Sequence, residues 1–360
     1  MNVRKIKTIA NRLKDREVDL AFIIPGPNLR YILGVNIETY ERFCLLYLDT
    51  NNEDIGIIIP KLDELKIKDI GINYFAYSDS ENPLEFLKRI VKDKVKKIAF
   101  EERMPIKYFL ILNNIYGNFE YTTLDDIIYE IRMIKEEEEI DNIHRAVKII
   151  EAALKECEED LSEDMTENDI ASILYKEILR KGGVPKEILV QVAEHSSIPH
   201  WRHSDKRIKR GDVIVLDVSA TYKDYYGDLT RTYVFGTPSN NKFYEIYNIV
   251  KEAHDRAIES AKENELASGI DNVARKFISE KGYAKYFIHR TGHGLGLEVH
   301  EEPFIVENYN KKLNKGMVFT IEPGIYLPNQ FGVRLESDVV IDYQGKTKVL
   351  DEYWPNPVIK

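Results

Sequence analysis

The chain has 360 residues, 43% of them apolar, and a formal net charge of −10. That is ample for one large or two ordinary buried cores, and the acidic balance excludes a general nucleic-acid surface. Its two cysteines, Cys44 and Cys157, show no pairing pattern, which excludes a disulfide scaffold and points to a reducing compartment, the cytoplasm.

The start, "MNVRKIKTIANRLKDREVDL", predicts a basic amphipathic helix over 3–16 and lacks the apolar core of a secretory signal. Nowhere does the chain reach the ~18 apolar residues of a membrane span. "LAFIIPG", "CLLYLDT", "IGIIIP" and "KKIAFEE" read as strands, and residues 83–97 as a helix. Residues 1–122 therefore form a small α/β domain, in which "PNLRYILGV" is expected where an exposed loop meets a short helix. A linker over 123–135 leads to the second domain, 136–360. There Ile140, Ile143, Val147, Ile150 and Leu154 give a long helix one apolar stripe. Its run of glutamates at the start suits the positive end of the helix dipole. A second helix follows, with Thr166 as N-cap and Gly182 as its stop. The remainder is richer in strands, with helices at about 240–265 and 269–282, so the whole is α+β. No repeat of solenoid period is visible.

Chemistry concentrates in the last 150 residues. "VIVLDVSATYKDYYGDLTRTYVFG" reads as a hairpin with a polar turn around Lys223–Asp224, in which Asp217 and Asp228 are eleven apart, with a midpoint between Tyr222 and Lys223. A turn centred there puts the two acids directly opposite, with Cβ atoms about 4.5–5.5 Å apart. "MVFTIEPGIYLPNQFGVRLESDVVI" repeats the arrangement: Glu322 and Glu336 are fourteen apart, with their midpoint at Asn329. Acids bedded in apolar runs are costly unless neutralised. Four carboxylates balance two divalent cations. Between the hairpins, "HRTGHGLGLEVH" places His289, His293 and His300 within twelve residues. Glycines flank His293 and let its backbone approach closely, so His293 is the expected nitrogen ligand, leaving His289 and His300 to face substrate. Oxygen-rich ligation with one imidazole favours Mn²⁺ or Co²⁺, with Zn²⁺ or Fe²⁺ also suited. Two such ions ~3.5 Å apart share a water and turn it into hydroxide near neutral pH, which points to hydrolysis.

These pieces, with "IPHWR", "LDVSATYKDYYGDLTRT", "HRTGHGLGLEVHEEP", "TIEPGIY" and "GVRLESDVVI" in that order, resemble the metallopeptidase family of the pita-bread fold. That family includes Xaa-Pro dipeptidase (prolidase), aminopeptidase P and methionine aminopeptidase. The resemblance covers residues 136–360, and residues 1–122 resemble the creatinase-like N-terminal domain of the proline-specific members. It implies a dinuclear site with Asp217, Asp228, His293, Glu322 and Glu336 as metal ligands, Asp228 and Glu336 bridging. Glu322 would also shuttle the proton of the attacking hydroxide, and His200 and His300 would hydrogen-bond the scissile carbonyl and the oxyanion. His289 would line the proline side, while Arg334 and Thr230 would hold the carboxylates. The substrate would be a small peptide with proline second, gripped by ring shape and by its ends, because a bond before proline has no N–H. Trp201 and Tyr326 are candidate walls, with core packing the alternative for each.

Some positions depart from the family. Phe304 stands where some dipeptidases carry an arginine for the substrate carboxylate, so Arg42 or Arg202 is expected to take that part. Ser337 follows Glu336 where an acid is frequent, and "VAEHSSIPH" is bulkier than usual. The resemblance implies a homodimer in which the Arg42 loop reaches the neighbouring active site. Three alternatives stand beside an Xaa-Pro dipeptidase: an aminopeptidase P acting on longer peptides, a metal-free amidinohydrolase, and a non-catalytic binding module. The last two would have lost ligands, and none is lost. "GHGLG" is not a dinucleotide fingerprint, "HEEPF" is not a zinc-protease helix, and no G-x-S-x-G elbow is present.

Overall fold

The computed structural model describes residues 3–90 and 95–359. The chain forms two compact units, Met1–Arg132 and Met133–Lys360.

In the first unit the order is α1 (Val3–Asp15), β1 (Leu20–Ile23), α2 (Pro27–Leu33), β2 (Leu45–Asp49), β3 (Asp54–Pro60), β4 (Asn73–Tyr77), α3 (Leu84–Ile90), β5 (Lys97–Phe100), α4 (Ile106–Tyr116), β6 (Glu120–Thr123) and α5 (Asp125–Arg132). The strands form one sheet, β4-β3-β2-β1-β5-β6. It is mixed: β1 pairs antiparallel with β2 and parallel with β5. Both sides of β1 are buried, which explains its unbroken apolar run. Of the helix expected over 83–97, α3 is the first part, residues 91–94 lie outside the described residues, and Lys97 already belongs to β5. That strand is fixed by pairing with β1 and β6, contacts far away in sequence. "PNLRYILGV" supplies the expected short helix, followed by a partly exposed loop. The helix is α2, whose Asn28, Leu29, Tyr31, Ile32 and Leu33 are buried, and it ends on Gly34 at φ 78. Within the stretch read as a linker, α5 buries Ile127 and Ile128.

The second unit opens with α6 (Glu137–Asp160) and α7 (Glu167–Arg180), then β7 (Val184–Val192), β8 (Val213–Tyr222) and β9 (Tyr225–Phe235). Next come α8 (Phe243–Ser260), α9 (Ala267–Glu280), β10 (Gly292–Gly294), β11 (Glu301–Ile305), β12 (Val318–Ile321), β13 (Gly324–Leu327), β14 (Phe331–Arg334), β15 (Ser337–Ile341), β16 (Thr347–Val349) and β17 (Val358–Ile359). Glu136 and Glu139 form a capping box at the head of α6, and Thr166 and Asp169 do the same for α7. Two sheets carry the site: β17-β9-β8-β7 and β11-β10-β12-β15-β16. The apolar stripe of α6, with Ile143, Val147, Ile150 and Leu154, packs on the first sheet. Helices α8 and α9 pack against the second.

The unit is built from two similar halves. Helices α7 and α9 begin at 167 and 267 and end at 180 and 280. Each is preceded by a left-handed residue, Asp164 (φ 69) or Asn264 (φ 70), and followed by a left-handed glycine, Gly182 or Gly282, both at φ 85. The sequence hides this repeat because only the turn geometry and apolar spacing recur. Each half ends in one of the two acidic hairpins.

Candidate metal centre and active site

The first hairpin corrects the expected register. The turn is centred between Lys223 (φ 49) and Asp224 (φ 68), which follows the type I′ pattern of a two-residue loop. Asp217 therefore pairs with Thr230, and Asp228 with Ser219. The two aspartates are diagonal neighbours on one face, not directly opposed. Such neighbours sit roughly 7–8 Å apart, still within reach of a common ligand.

The second hairpin keeps the expected register around Asn329 (φ 58). Gly324 pairs with Arg334 on one side of the glutamates, and Ile321 with Ser337 on the other. Between these ladders the ribbon opens. The Glu322 N–H donates to Thr291 O at 2.7 Å, and the Glu336 N–H to Thr230 O at 3.2 Å. The opening ties the second hairpin to β9 and to the histidine segment, so all four acids converge.

His293 lies on β10, opposite Phe304, with a bulge immediately after it. Its flanking glycines are sterically required: a Cβ at Gly292 would lie 1.9 Å from Thr320 O, and one at Gly294 2.3 Å from Glu302 O. The His293 Nδ1–H donates to Gly294 O at 3.2 Å, which leaves Nε2 as the lone pair facing Glu322 Oε1 at 3.4 Å.

Donor atoms of Asp228, His293 and Glu336 all lie within 4.8 Å of one another. Asp217 and Glu322 join them around a cavity of ≈ 330 Å³, which His200, His289, His300 and Arg334 also line. Arg334 braces the acids. It donates to Asp217 Oδ2 at 2.5 Å, Thr230 Oγ1 at 3.2 Å and the Tyr326 hydroxyl at 2.8 Å. Thr230 Oγ1 in turn donates to Glu336 Oε2 at 2.6 Å. Arg334 is the only guanidinium bonded to these carboxylates among the described residues, which leaves negative charge in excess. Burial, then Glu336 and Asp217, drives the Asp228 carboxyl well above its usual range. Burial does the same to Glu336, helped by Glu322. Glu322 is pushed up to about 7 by burial, with Arg334 pulling the other way. Asp228 Oδ1, buried in this cluster, has no hydrogen-bond partner. A buried, unpartnered carboxylate oxygen among three further acids and an imidazole lone pair is what an oxygen-preferring divalent cation satisfies. These residues fit a metal.

The histidines divide by environment. His289 uses both ring nitrogens: Nδ1–H donates to Arg290 O at 2.7 Å, and Nε2 accepts from the Tyr326 hydroxyl at 2.8 Å. Burial, then Arg334, lowers its pKa to about 3, so it stays neutral and offers only its ring. His300 packs edge-on against His293, ring centroids 4.2 Å apart, and burial lowers its pKa too. His200 is exposed at the cavity wall.

Other expected residues fall elsewhere. Trp201 is not a cavity wall; it stacks on His195 at 4.0 Å. Arg202 is exposed and does not line the cavity. Arg42 is held by Asp79 through two bonds, at 2.9 and 3.1 Å. Tyr326 is buried, and its hydroxyl links His289 to Arg334. Sequence reasoning missed Arg290, although it stood inside the quoted motif. Its guanidinium lies 4.8 Å from the Phe304 ring, lines the cavity, and makes no hydrogen bond or ion pair among the described residues. It also missed Asp338. The acid absent at 337 is present one residue on, on the Glu336 face, where its Oδ2 accepts the Asp228 N–H at 3.0 Å. Ser337 points the other way, to His254 and Asp351.

Residues 141–343 match Metallopeptidase family M24, and residues 5–134 match the Creatinase/Prolidase N-terminal domain. The chain is 34% identical over 351 residues to an Xaa-Pro dipeptidase of Pyrococcus horikoshii, covering 96% of each. A prolidase from Thermococcus sibiricus superposes with a TM-score of 0.92 at 34% identity, covering 99% of this chain and 98% of that one. An X-Pro aminopeptidase from Thermotoga maritima gives 0.83 at 33% identity, covering 97% and 99%. With a metal-ready acid cluster at the meeting of its two hairpins and these matches along both units, the chain belongs to metallopeptidase family M24, with a Creatinase/Prolidase N-terminal domain and a pita-bread catalytic domain.

Proposed function

We propose that the protein is an Xaa-Pro dipeptidase, a metal-dependent exopeptidase whose substrate is a dipeptide with proline second. The observation that carries this is the convergence of Asp217, Asp228, His293, Glu322 and Glu336 on one cavity, with an unpartnered oxygen on Asp228. Four carboxylates suit two divalent ions, Mn²⁺ or Co²⁺ first by donor type, Zn²⁺ or Fe²⁺ next. Asp217 and Asp228 would hold one, His293 and Glu322 the other, with Asp228 and Glu336 shared. When bound, such ions supply Lewis acidity and bring the pKa of water toward neutral.

The chain's own residues do the rest. Glu322, 3.4 Å from His293 and 3.9 Å from His289, takes the proton of the attacking water and returns it to the leaving amine. His200 and His300, which both line the cavity, donate to the carbonyl oxygen as charge develops on it. Neutral His289 presents its ring to the proline. Arg334 keeps Asp217 and, through Thr230, Glu336 in place.

A dipeptide ends in a carboxylate immediately after proline. Arg290 is the one cavity-lining guanidinium that makes no hydrogen bond or ion pair to a carboxylate among the described residues, and it favours a dipeptide over a longer peptide. It takes the part expected of Arg42 or Arg202. Assembly as a homodimer in the cytoplasm belongs to the same reading. The dimer would be seen by light scattering, and there Arg42 would have to exchange Asp79 for another carboxylate.

The test is hydrolysis of Ala-Pro and Ala-Pro-Ala by protein loaded with Mn²⁺ or Co²⁺. Ala-Pro should be cleaved, and Arg290→Met should raise its KM at least tenfold. Cleavage of the tripeptide alone would reverse the choice in favour of an aminopeptidase. Asp228→Ala should lose at least one ion per chain by elemental analysis; unchanged metal content would refute the ligand set.

A further inference from the structure

Most charged groups in the cavity are already engaged: Asp217 by Arg334, Glu336 by Thr230, Glu322 beside His293. Glu187 is different. It sits in a bulge of β7, where the pairing with β8 shifts between Pro185 and Ile188. Its backbone is pinned, since its N–H donates to Ser219 Oγ at 3.1 Å. Its side chain lines the cavity beside Leu189. The carboxylate is exposed and makes no hydrogen bond or ion pair among the described residues. The adjacent Lys186 does not neutralise it, because its ammonium lies over the Tyr226 ring at 5.8 Å. Leu189 pairs in register with Asp217, so the wall runs from a candidate metal ligand, across an apolar step, to a free carboxylate.

We propose that Glu187 makes the enzyme prefer a cationic residue, Lys or Arg, before proline. The proposal rests on the Xaa-Pro reading above, with the α-amine of the substrate at the acid cluster. Two residues along a strand cover about 6–7 Å. A Lys or Arg side chain spans that distance, its stem lying on Leu189 and its head reaching Glu187. Leucine or methionine ends short of the carboxylate, and a glutamate is repelled by it. An exposed ion pair is a small effect, so the expected preference is roughly three- to fivefold.

The experiment measures kcat/KM of the metal-loaded enzyme for Lys-Pro, Leu-Pro and Glu-Pro, for the natural chain, Glu187→Gln and Glu187→Lys, with the melting temperature as a check on folding. The natural enzyme should prefer Lys-Pro to Leu-Pro by that factor, with Glu-Pro poorest. The Gln variant should bring the Lys-Pro to Leu-Pro ratio near one, and the Lys variant should put Glu-Pro above Lys-Pro. Equal rates on Lys-Pro and Leu-Pro in the natural enzyme, or a ratio unmoved by Glu187→Gln, would overturn the selectivity while leaving the Xaa-Pro activity intact. No cleavage of any of the three dipeptides would overturn the Xaa-Pro reading and this selectivity with it.

Discussion

Arg334 is buried among acids, and its charge is shared by Asp217, Tyr326 and Thr230. Replacing it by methionine removes the only guanidinium bonded to Asp217 among the described residues. Breaking one side of a buried pair costs about 3–5 kcal/mol. The loss should be largest in chelator-treated protein and smaller with Mn²⁺ bound, because the ion then neutralises the same carboxylate. Urea unfolding with and without metal reads the difference. Glu101, in the first unit, offers a cleaner pH test. It accepts from the Ile24 N–H at 2.6 Å and Asn28 Nδ2 at 2.7 Å, and burial raises its pKa from 4.5 to about 7. The folded pKa lies above the unfolded one. Its contribution is therefore fully present below pH 4.5 and is lost as pH rises through 7. The stability of the natural chain relative to Glu101→Gln should fall by up to about 3 kcal/mol across that window. A flat difference between pH 4.5 and 8 would contradict the burial argument.

At the scale of elements, two features aim the candidate ligands, and both are backbone features. The type I′ turn at Lys223–Asp224 places Asp217 and Asp228 diagonally, and the opening in the second ribbon frees Glu322 and Glu336 from the ladder. The periodicity of 2 along each strand was legible, so the shared face of each acid pair could be read. The polar turn at Lys223–Asp224 was legible, but the midpoint of the two aspartates lies one position before it, so they are diagonal rather than opposed, whereas the midpoint of the glutamates coincides with Asn329. Gly292→Ala should be severe: its new Cβ meets the Thr320 carbonyl, which is backbone and cannot rotate away. Overpacking of this kind costs about 1–3 kcal/mol or more, and the displaced β10 carries His293. Lower thermal stability together with weaker metal retention is expected. A variant with normal metal content would mean that β10 tolerates the shift.

At the scale of the whole molecule, the candidate ligands all belong to the second unit, Met133–Lys360. Metal should therefore act on that unit's unfolding alone. At a hundredfold excess over Kd a bound ion adds about 2.7 kcal/mol. Calorimetry with Mn²⁺ or Co²⁺ should move one transition upward, while the transition sensitive to Glu101→Gln stays in place. If both shifted equally, the two units would be unfolding as one. Among the described residues no helix is long and apolar enough to cross a membrane, and both cysteines are free and buried.

The sequence by itself determined which residue types meet and on which strand faces. Acids set in apolar runs, glycines around one histidine and the spacing of each hairpin are local signals, and they named the candidate ligands and the two-domain order. Tertiary structure alone decided the rest. It set the diagonal register of the aspartates and tied both nitrogens of His289. It engaged Arg42 with Asp79 and left the Arg290 and Glu187 side chains in the cavity without a hydrogen bond or ion pair among the described residues. Whether a charged side chain is satisfied depends on neighbours 37 to 117 residues away, as for Arg42 with Asp79 and Arg334 with Asp217, and no pattern in a single strand records them.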